Sequence, residues 1–565
     1  MAYIYSKVTI EKMKVIRISG IALVGIIFFE IAFGQVNLTS SNLPIVIIDT
    51  QGQEIPNEPK ISATMQIVAN GPGVRNDING PYNDYDGPIG IELRGSSSIQ
   101  FEKKSYGIEI WDEFNNDTTA SILGMPKESD WVFHGPYSDK SLMRNFLAFK
   151  LGRELGRYAS RTRFVELILN NNYQGVYLVL EKIKRDKNRV DIAKLNEDEN
   201  SGDDVTGGYI IKIDKFDGSN TGEGWTSLYR PPGFKNADQV IYFQYDYPKP
   251  RNITEPQMHY IQDYVTAFEN ALQLRPSADL VTGYKSFIDL NSFVDYAIIN
   301  ELSRNVDGYR LSTFLYKDKD SNDRKLYIGP IWDYNLGFGN ADYYDASEIE
   351  GWAWNINFNS EASTDYWLVP FWWQRFQSDP EYVELLKNRW SELRNGPFST
   401  ENILFLIDST ATALDEAQIR NFQRFNILNS YVWPNNFVGG SYAAEIDYLK
   451  TWISTRLSWL DQAIDQIVTA LPRNNLQAEI LKVGPNPFSN ELSFKLAKPN
   501  STFEIEIYNM LGDQVIDITP NHKTYKEIFT WNGKDISGDD LNPGIYILLI
   551  KENSIIVENK KIIKY

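Results

Sequence analysis

The sequence predicts an α+β protein with a β-rich first part, a mostly helical middle and a separate all-β tail. Three patterns carry this. Up to about residue 215, apolar and polar residues alternate in short runs split by Gly, Pro and Asn clusters. From about residue 255, apolar residues recur every three or four positions. After about residue 480 the alternation returns and lasts to the C-terminus.

The elements follow in order. "LPIVIIDT" and "ISATMQIVAN" read as strands separated by "QGQEIPNEP". "IGIELRGSSSIQFEKKSYGIEIW" reads as two strands joined by a small-residue loop. In "YSDKSLMRNFLAFKLGREL", Ser138 or Asp139 is suited to cap a helix, and Leu142, Met143, Phe146, Leu147, Leu151 and Leu155 form one apolar stripe. "FVELILNNNYQGVYLVLEKI" is a hairpin turning at its asparagines, and "GGYIIKID" is a strand. "EPQMHYIQDYVTAFENALQ", "NSFVDYAIINELSR", "PEYVELLKNRWSELR" and two longer segments between 403 and 467 are helical. A hairpin in "STFLYKDKDSNDRKLYIGPIWDYN" interrupts them. The organisation is a signal peptide at 1–34, a β-rich segment at 36–85, a main domain at 86–470, a linker at 471–481 and a tail at 482–565.

Composition narrows the function. The net charge of −18 argues against nucleic acid as a partner. The 565 residues include no cysteine, which excludes disulfides, thiolate chemistry and Cys-held metals. His134, His259 and His522 are the three histidines, and they are far apart in sequence. No HExxH occurs, so a histidine metal site or a Ser-His-Asp triad is not expected. Lys7, Lys12, Lys14 and Arg17 precede the apolar run "ISGIALVGIIFFEIAFG", which reads as an export signal cleaved before Gln35. No second apolar run of about 20 residues follows, so no stable membrane span is expected after signal removal.

Two resemblances sit on quoted motifs. "PNPFSNELSFKL", "IEIYNMLGDQV", "LNPGIYILLI" and "ENKKIIKY" closely resemble the C-terminal sorting domain of the type IX secretion system of Bacteroidetes, a small β-sandwich. That resemblance implies export by the Sec route, recognition by the type IX machinery, and a secreted or cell-surface location. "IELRGSSSIQFEKKSYGIEI", "DWVFHGPYSDKSLMRNFLAFKLG", "NNNYQGVYLVLEKI", "NELSRNVDGYRLSTFLYKD" and "LYIGPIWDYNLGFGNADYYD" resemble the CotH family of atypical secreted kinases. It implies a divergent protein-kinase-like domain of two lobes, β-rich then helical. It also implies ATP with Mg²⁺ or Mn²⁺, and transfer to Ser or Thr of an extracellular or surface protein.

Phosphoryl transfer needs cations at the phosphates, oxygen ligands for a metal and a group that orients the acceptor hydroxyl. Asp333, followed by Gly337 and Gly339, is the expected metal ligand, with Asn335 beside it. Many relatives carry a second Asp at the position of Asn335, whose amide can ligate but brings no charge. Asp307 is similar to the family's catalytic aspartate, with Asn305 close by; a plain Asp-Gly turn is the other reading of that position. Arg94, the Ser96–Ser98 loop and Lys104 would face phosphate, with Lys103 on the opposite strand face. Glu181 would support the lysine or the metal, or else form a strand-edge salt bridge. Neither HRD nor DFG is present. A second function class starts from Trp352, Trp354, Trp367, Trp372 and Trp373: an exported adhesion or carbohydrate-binding protein without chemistry, unless these residues are core.

Overall fold

The computed structural model describes residues 36–215, 223–274, 283–467, 480–496, 503–509, 514–518, 528–552 and 555–565. The expected signal peptide and all but the end of the expected linker lie outside the described residues.

The alternating first part closes on itself. Strands β1 (Ile45–Asp49), β2 (Ile61–Val68), β3 (Tyr85–Arg94), β4 (Ser105–Ile110), β5 (Asp130–His134), β6 (Thr162–Leu169) and β7 (Asn172–Glu181) form a barrel in the order β1-β2-β3-β4-β5-β7-β6. The parallel pairing of β1 with β6 shuts it, with Val46 opposite Leu167. Closure removes the free edges that an open sheet would expose. Every second residue points inward, so Val46, Ile67, Ile91, Ile108, Phe133 and Val179 fill the interior. Residues 36–85 therefore supply strands of this barrel and are not a unit apart.

A second sheet runs β9-β10-β8-β11-β12, from β8 (Tyr209–Ile213), β9 (Gly224–Thr226), β10 (Tyr242–Tyr247), β11 (Thr313–Lys317) and β12 (Leu326–Ile328). The β11–β12 pair is the expected hairpin. Helices α2 (Glu255–Leu274), α3 (Leu290–Ser303), α4 (Trp372–Phe376), α5 (Pro380–Arg394), α6 (Thr400–Arg424) and α7 (Tyr442–Asp465) make the helical part. Helix α3 starts where Asp289 accepts the Ser292 N–H at 2.9 Å, and it is buried from Ser292 to Ser303. Trp372 and Trp373 are 0% and 1% exposed and pack in the main core, so they present no face to a ligand. Among the described residues, no helix is long and apolar enough to cross a membrane.

The tail is all-β. A three-stranded antiparallel sheet (Ile480–Gly484, Leu492–Leu496, Ile528–Trp531) and a four-stranded one (Phe503–Asn509, Gln514–Asp517, Gly544–Glu552, Ile555–Lys564) share one core of Phe488, Leu492, Ile507, Trp531 and Leu548. The motif blocks meet here: Phe488 N–H donates to the Ile563 carbonyl, Tyr565 N–H to the Phe488 carbonyl, and Gly544 pairs with Lys564.

One helix starts later than its sequence suggests. Helix α1 runs Arg144–Glu154, and neither Ser138 nor Asp139 is its N-cap. Instead Asp139 reaches forward. Its Oδ2 accepts the Arg144 N–H at 2.8 Å, and its Oδ1 pairs with Arg144 Nη1 at 2.7 Å. Both side chains are at most 2% exposed. Removing one partner of a buried ion pair strands the other charge. Asp139→Ala is therefore expected to lower the unfolding free energy by about 3–5 kcal/mol in urea titration, and a loss below about 1 kcal/mol would contradict the assigned role.

Candidate functional site

The segment after β12 turns sharply. Asp333 lies five residues past the end of the strand, with φ at +62°, a left-handed conformation that bulkier residues avoid. Phe338 and Gly339 are also left-handed, at +53° and +74°. A Cβ on Gly339 would sit 2.5 Å from Trp452 Cδ1, so both the conformation and the space demand glycine there. Gly152 of α1 serves the same region, since a Cβ there would meet Ile331 Cδ1 at 2.7 Å.

What holds the turn is α1. The Tyr334 N–H donates to Asn145 Oδ1 at 2.7 Å inside the protein. The other end of that amide, Nδ2, lies 3.3 Å from His134 Nε2. An amide nitrogen can only donate, so His134 must be neutral with its proton on Nδ1. Burial agrees: it pushes the imidazole down to about 4, helped by Lys103 and opposed by Asp139. Asn340 Nδ2 adds a bond to the Asn335 carbonyl at 2.8 Å, and the Phe338 N–H donates to the Ser303 carbonyl at 2.6 Å.

The loop after α3 joins this turn through one amide. Asn305 Nδ2 donates to the Asp333 carbonyl at 3.2 Å, while its Oδ1 accepts the Asp307 N–H at 3.4 Å. Asp307 Oδ1 accepts from Arg310 Nη2 at 3.1 Å, and Arg310 Nη1 holds Asp365 at 2.7 Å. Among the described residues, Asp307 Oδ2 has no hydrogen bond.

Asp333 is crowded but reachable. It is exposed, yet protein atoms crowd around its carboxylate. Burial raises its carboxyl to about 6, and the carboxylates of Asp307 and Asp214 push the same way; Lys215 and Arg94 oppose them. Arg94, at the end of β3, is half-buried and has its Cζ 5.8 Å above the Trp332 ring. Among the described residues it has no hydrogen bond or ion pair. Burial lowers its pKa, and the nearby carboxylates of Glu92, Asp246, Asp333 and Asp130 hold it up. Lys182, just past β7, also feels Arg94: burial lowers its pKa first, Asp130 opposes this, and the like charge of Arg94 adds to the lowering. Lys182 Nζ is paired with Asp130 Oδ1 at 3.4 Å, so Arg94 is the one of the two that lacks a carboxylate partner among the described residues, and it suits an anion.

Lys104 turns out differently, Glu181 forms the salt bridge that was its other reading, and Lys103 takes no part, as expected. Lys104 Nζ donates to the Ile99 and Phe101 carbonyls at 2.8 and 2.6 Å, so two of its three donors brace the serine loop. Lys103 is buried and bonds the Val176 carbonyl and Asn421 Oδ1. Glu181 is fully buried and binds Arg161 Nη1 at 2.7 Å, the Arg161 N–H and the Tyr158 hydroxyl. It is a structural ion pair and supports neither lysine nor metal. Ser96 is exposed at the start of the loop, and Gly95, with φ at +116°, lets the chain turn there. Lys182, Lys212, Lys215, Asp214 and Asp246 are the charges that sequence reasoning missed; they come from the ends of β7, β8 and β10.

For a divalent cation, the chain offers oxygens but no complete cage. Asn335 Oδ1 is buried without a hydrogen-bond partner, two residues from Asp333. Among the described residues, no group of three or more His, Asp and Glu is placed to hold a metal. This fits an ion such as Mg²⁺, which binds one or two protein oxygens and fills its shell with water and phosphate oxygens.

Comparison with known proteins places the two parts of the chain in families. Residues 91–460, about two thirds of the chain, match the family described as CotH kinase protein, and the chain belongs to that family. Residues 482–565 match the secretion system C-terminal sorting domain, which marks a protein secreted to the cell surface through type IX secretion. A curated relative, the inner spore coat protein H of Bacillus subtilis (strain 168), is 33% identical over 95 residues. That stretch is 17% of this chain and spans 24% of the relative's length.

The neutral His134 makes the clamp sensitive to acid. Its folded pKa of about 4 lies below the ordinary 6.5. Its contribution is therefore full above about pH 6.5 and is lost as pH falls toward 4, by about 3 kcal/mol in total. His134→Gln keeps an acceptor for Asn145 but does not titrate. Its stability, measured by urea unfolding across this range, is expected to fall less steeply with acid than that of the natural protein. Parallel curves would contradict the assignment.

Proposed function

We propose that this exported CotH family member is an atypical protein kinase, with a divergent two-lobed kinase-like architecture, that moves the ATP γ-phosphoryl group to a Ser or Thr of an extracellular or surface protein. The observation that carries the reading is the pairing of unsatisfied charges in one cleft. Arg94, which has no ion-pair partner among the described residues, offers positive charge near Asp333, whose carboxylate is repelled by Asp307 and Asp214; Lys182 lies near Arg94 and is shared with Asp130. Nucleotide with a divalent cation supplies the missing partner of Arg94 and of Asp333.

The roles follow from the chemistry. Arg94 and Lys182 hold phosphate oxygens, and the exposed Ser96 lies at the mouth of the same loop. Asp333 and Asn335 Oδ1 would hold Mg²⁺ or Mn²⁺, which would supply positive charge to offset that of the phosphates. Asp307, fixed through Oδ1 by Arg310, keeps Oδ2 for the acceptor hydroxyl. The hydroxyl oxygen bonds to the γ-phosphorus, the bond from that phosphorus to the β–γ bridging oxygen breaks, and the hydroxyl proton passes to Asp307. ADP leaves with the bridging oxygen. The machinery of type IX secretion is the transport partner.

A ligand that binds only the folded state raises the melting temperature. ATP with Mn²⁺ is expected to raise that of the natural protein. Arg94→Ala, Lys182→Ala and Asp333→Asn should weaken nucleotide binding at least tenfold by titration, an effect of about 1.4 kcal/mol. Lys104→Ala should lower the starting stability and leave that affinity within about twofold. Loss of binding in Lys104→Ala alone, or no shift in the natural protein, would remove the basis for the kinase and favour a binding protein that keeps the fold without its chemistry.

A further inference from the structure

A second concavity lies behind the Asp307 loop. It has a volume of about 240 Å³ and opens to solvent. Its wall includes Arg304 and Asn305 from the end of α3, Tyr344 and Asp345, and the segment from Gly351 to Asn359. Arg304, Tyr344 and Asp345 all carry left-handed backbone, with φ at 43°, 54° and 57°. Three such residues around one small cavity are unusual, because each conformation is disfavoured for a side chain of that size.

The wall is held firmly. Glu301 accepts the N–H groups of Ala353 and Trp354 at 2.8 and 3.1 Å, and the Tyr309 hydroxyl at 2.9 Å. Arg456 ties the Glu301 and Gly351 carbonyls together at 2.9 and 2.8 Å. The shape is thus preformed rather than a gap in a loose loop.

The lining chemistry selects a ligand class. Tyr344, Trp352 and Phe358 give aromatic surface, and Phe358 is 56% exposed with no burial need of its own. The Asn355 amide is exposed and, among the described residues, makes no side-chain hydrogen bond. Asp345 presents a carboxylate whose Oδ2 is held by Asn359 Nδ2. Arg304 is partly committed: its Nε and Nη1 donate to the Asp345 and Gly351 carbonyls at 2.7 and 2.5 Å, while among the described residues Nη2 has no hydrogen bond. A phosphate would have to share that one guanidinium edge with the Asp345 carboxylate, whereas a hydroxyl can accept from Nη2 without that repulsion. A purely apolar group would strand the amide and the carboxylate. A neutral polyhydroxylated ring with an apolar face satisfies all three demands.

We propose that this cavity binds a sugar residue of a glycan, with Phe358 under the ring and Asn355 and Asp345 on its hydroxyls. It shares Asn305 with the Asp307 loop, so an occupant touches the residue that links Asp307 to Asp333. This site needs neither nucleotide nor metal, and it stands apart from the kinase reading.

Saturation-transfer NMR on the full-length protein tests it, using methyl glycosides of glucose, galactose and mannose, and N-acetylglucosamine. The expected result is transfer to the ring protons of at least one sugar. Phe358→Ala and Asn355→Ala, both surface changes that should leave the melting temperature in place, should each reduce it at least fivefold. Asp333→Asn should leave it unchanged even if it abolishes nucleotide binding. No transfer with any of the four sugars overturns the proposal. So does transfer that survives both substitutions, or transfer that AMP displaces, since AMP would identify the cavity as part of a nucleotide site.

Discussion

A single amide, that of Asn145, sets the geometry of the cleft. Its Oδ1 takes the Tyr334 N–H and thereby fixes the left-handed turn at Asp333. Its Nδ2 is oriented by a neutral His134. The helix that carries Asn145 is itself seated by the buried Asp139–Arg144 pair. Barrel, helix and turn thus meet at one residue, and Gly152 and Gly339 give them the room to do so. A turn placed by flexible contacts would leave Asp333 free to relax away from Asp307. Here the backbone is bonded on both sides, so the repulsion between carboxylates cannot be relieved by movement.

That stored repulsion is the signature of a site shaped for something else. Buried ion pairs elsewhere in the molecule are complete: Glu181 has Arg161, and Glu301 has Arg456. Around Asp333, the Arg94 side chain has only an aromatic ring beneath it, Asn335 Oδ1 has no partner, and burial with the nearby carboxylates of Asp307 and Asp214 raises the Asp333 carboxyl to about 6. Isolated unpartnered atoms occur elsewhere in the core, such as Arg144 Nε and Arg189 Nη2, but Arg94, Asp333 and Asn335 lie within one region. Unpaired charge of both signs costs stability, and a ligand carrying both signs recovers it.

Much of this was legible in the sequence, and the limits have physical causes. The α+β order, the 162–181 hairpin and the β11–β12 hairpin are local patterns, and they appear in the structure. Asp333 stood out because only a special backbone needs two glycines so close behind it. Barrel closure was hidden, because β1 and β6 pair across more than a hundred residues. Lys104 was chosen over Lys103 from strand alternation, and its stem is long enough to fold back on its own loop. Glu181 and Lys182 are adjacent, yet the first is fully buried against Arg161 and the second pairs with Asp130. The charges from β8 and β10 carry no motif; only the fold brings them to Arg94. Trp372 and Trp373 belong to the core, so the sugar-binding alternative loses them; Trp352 lines the second cavity, where Phe358 joins it.

The central claim is that the cleft was built for a cation bridged to phosphate. The most direct measurement is anomalous diffraction from crystals grown with Mn²⁺ and a non-hydrolysable ATP analogue. The account predicts a manganese peak within ligand distance of an Asp333 carboxylate oxygen and of Asn335 Oδ1, with phosphate oxygens against Arg94 and Lys182. A peak elsewhere, or nucleotide phosphates bound by Lys104 with Arg94 left free, would contradict it.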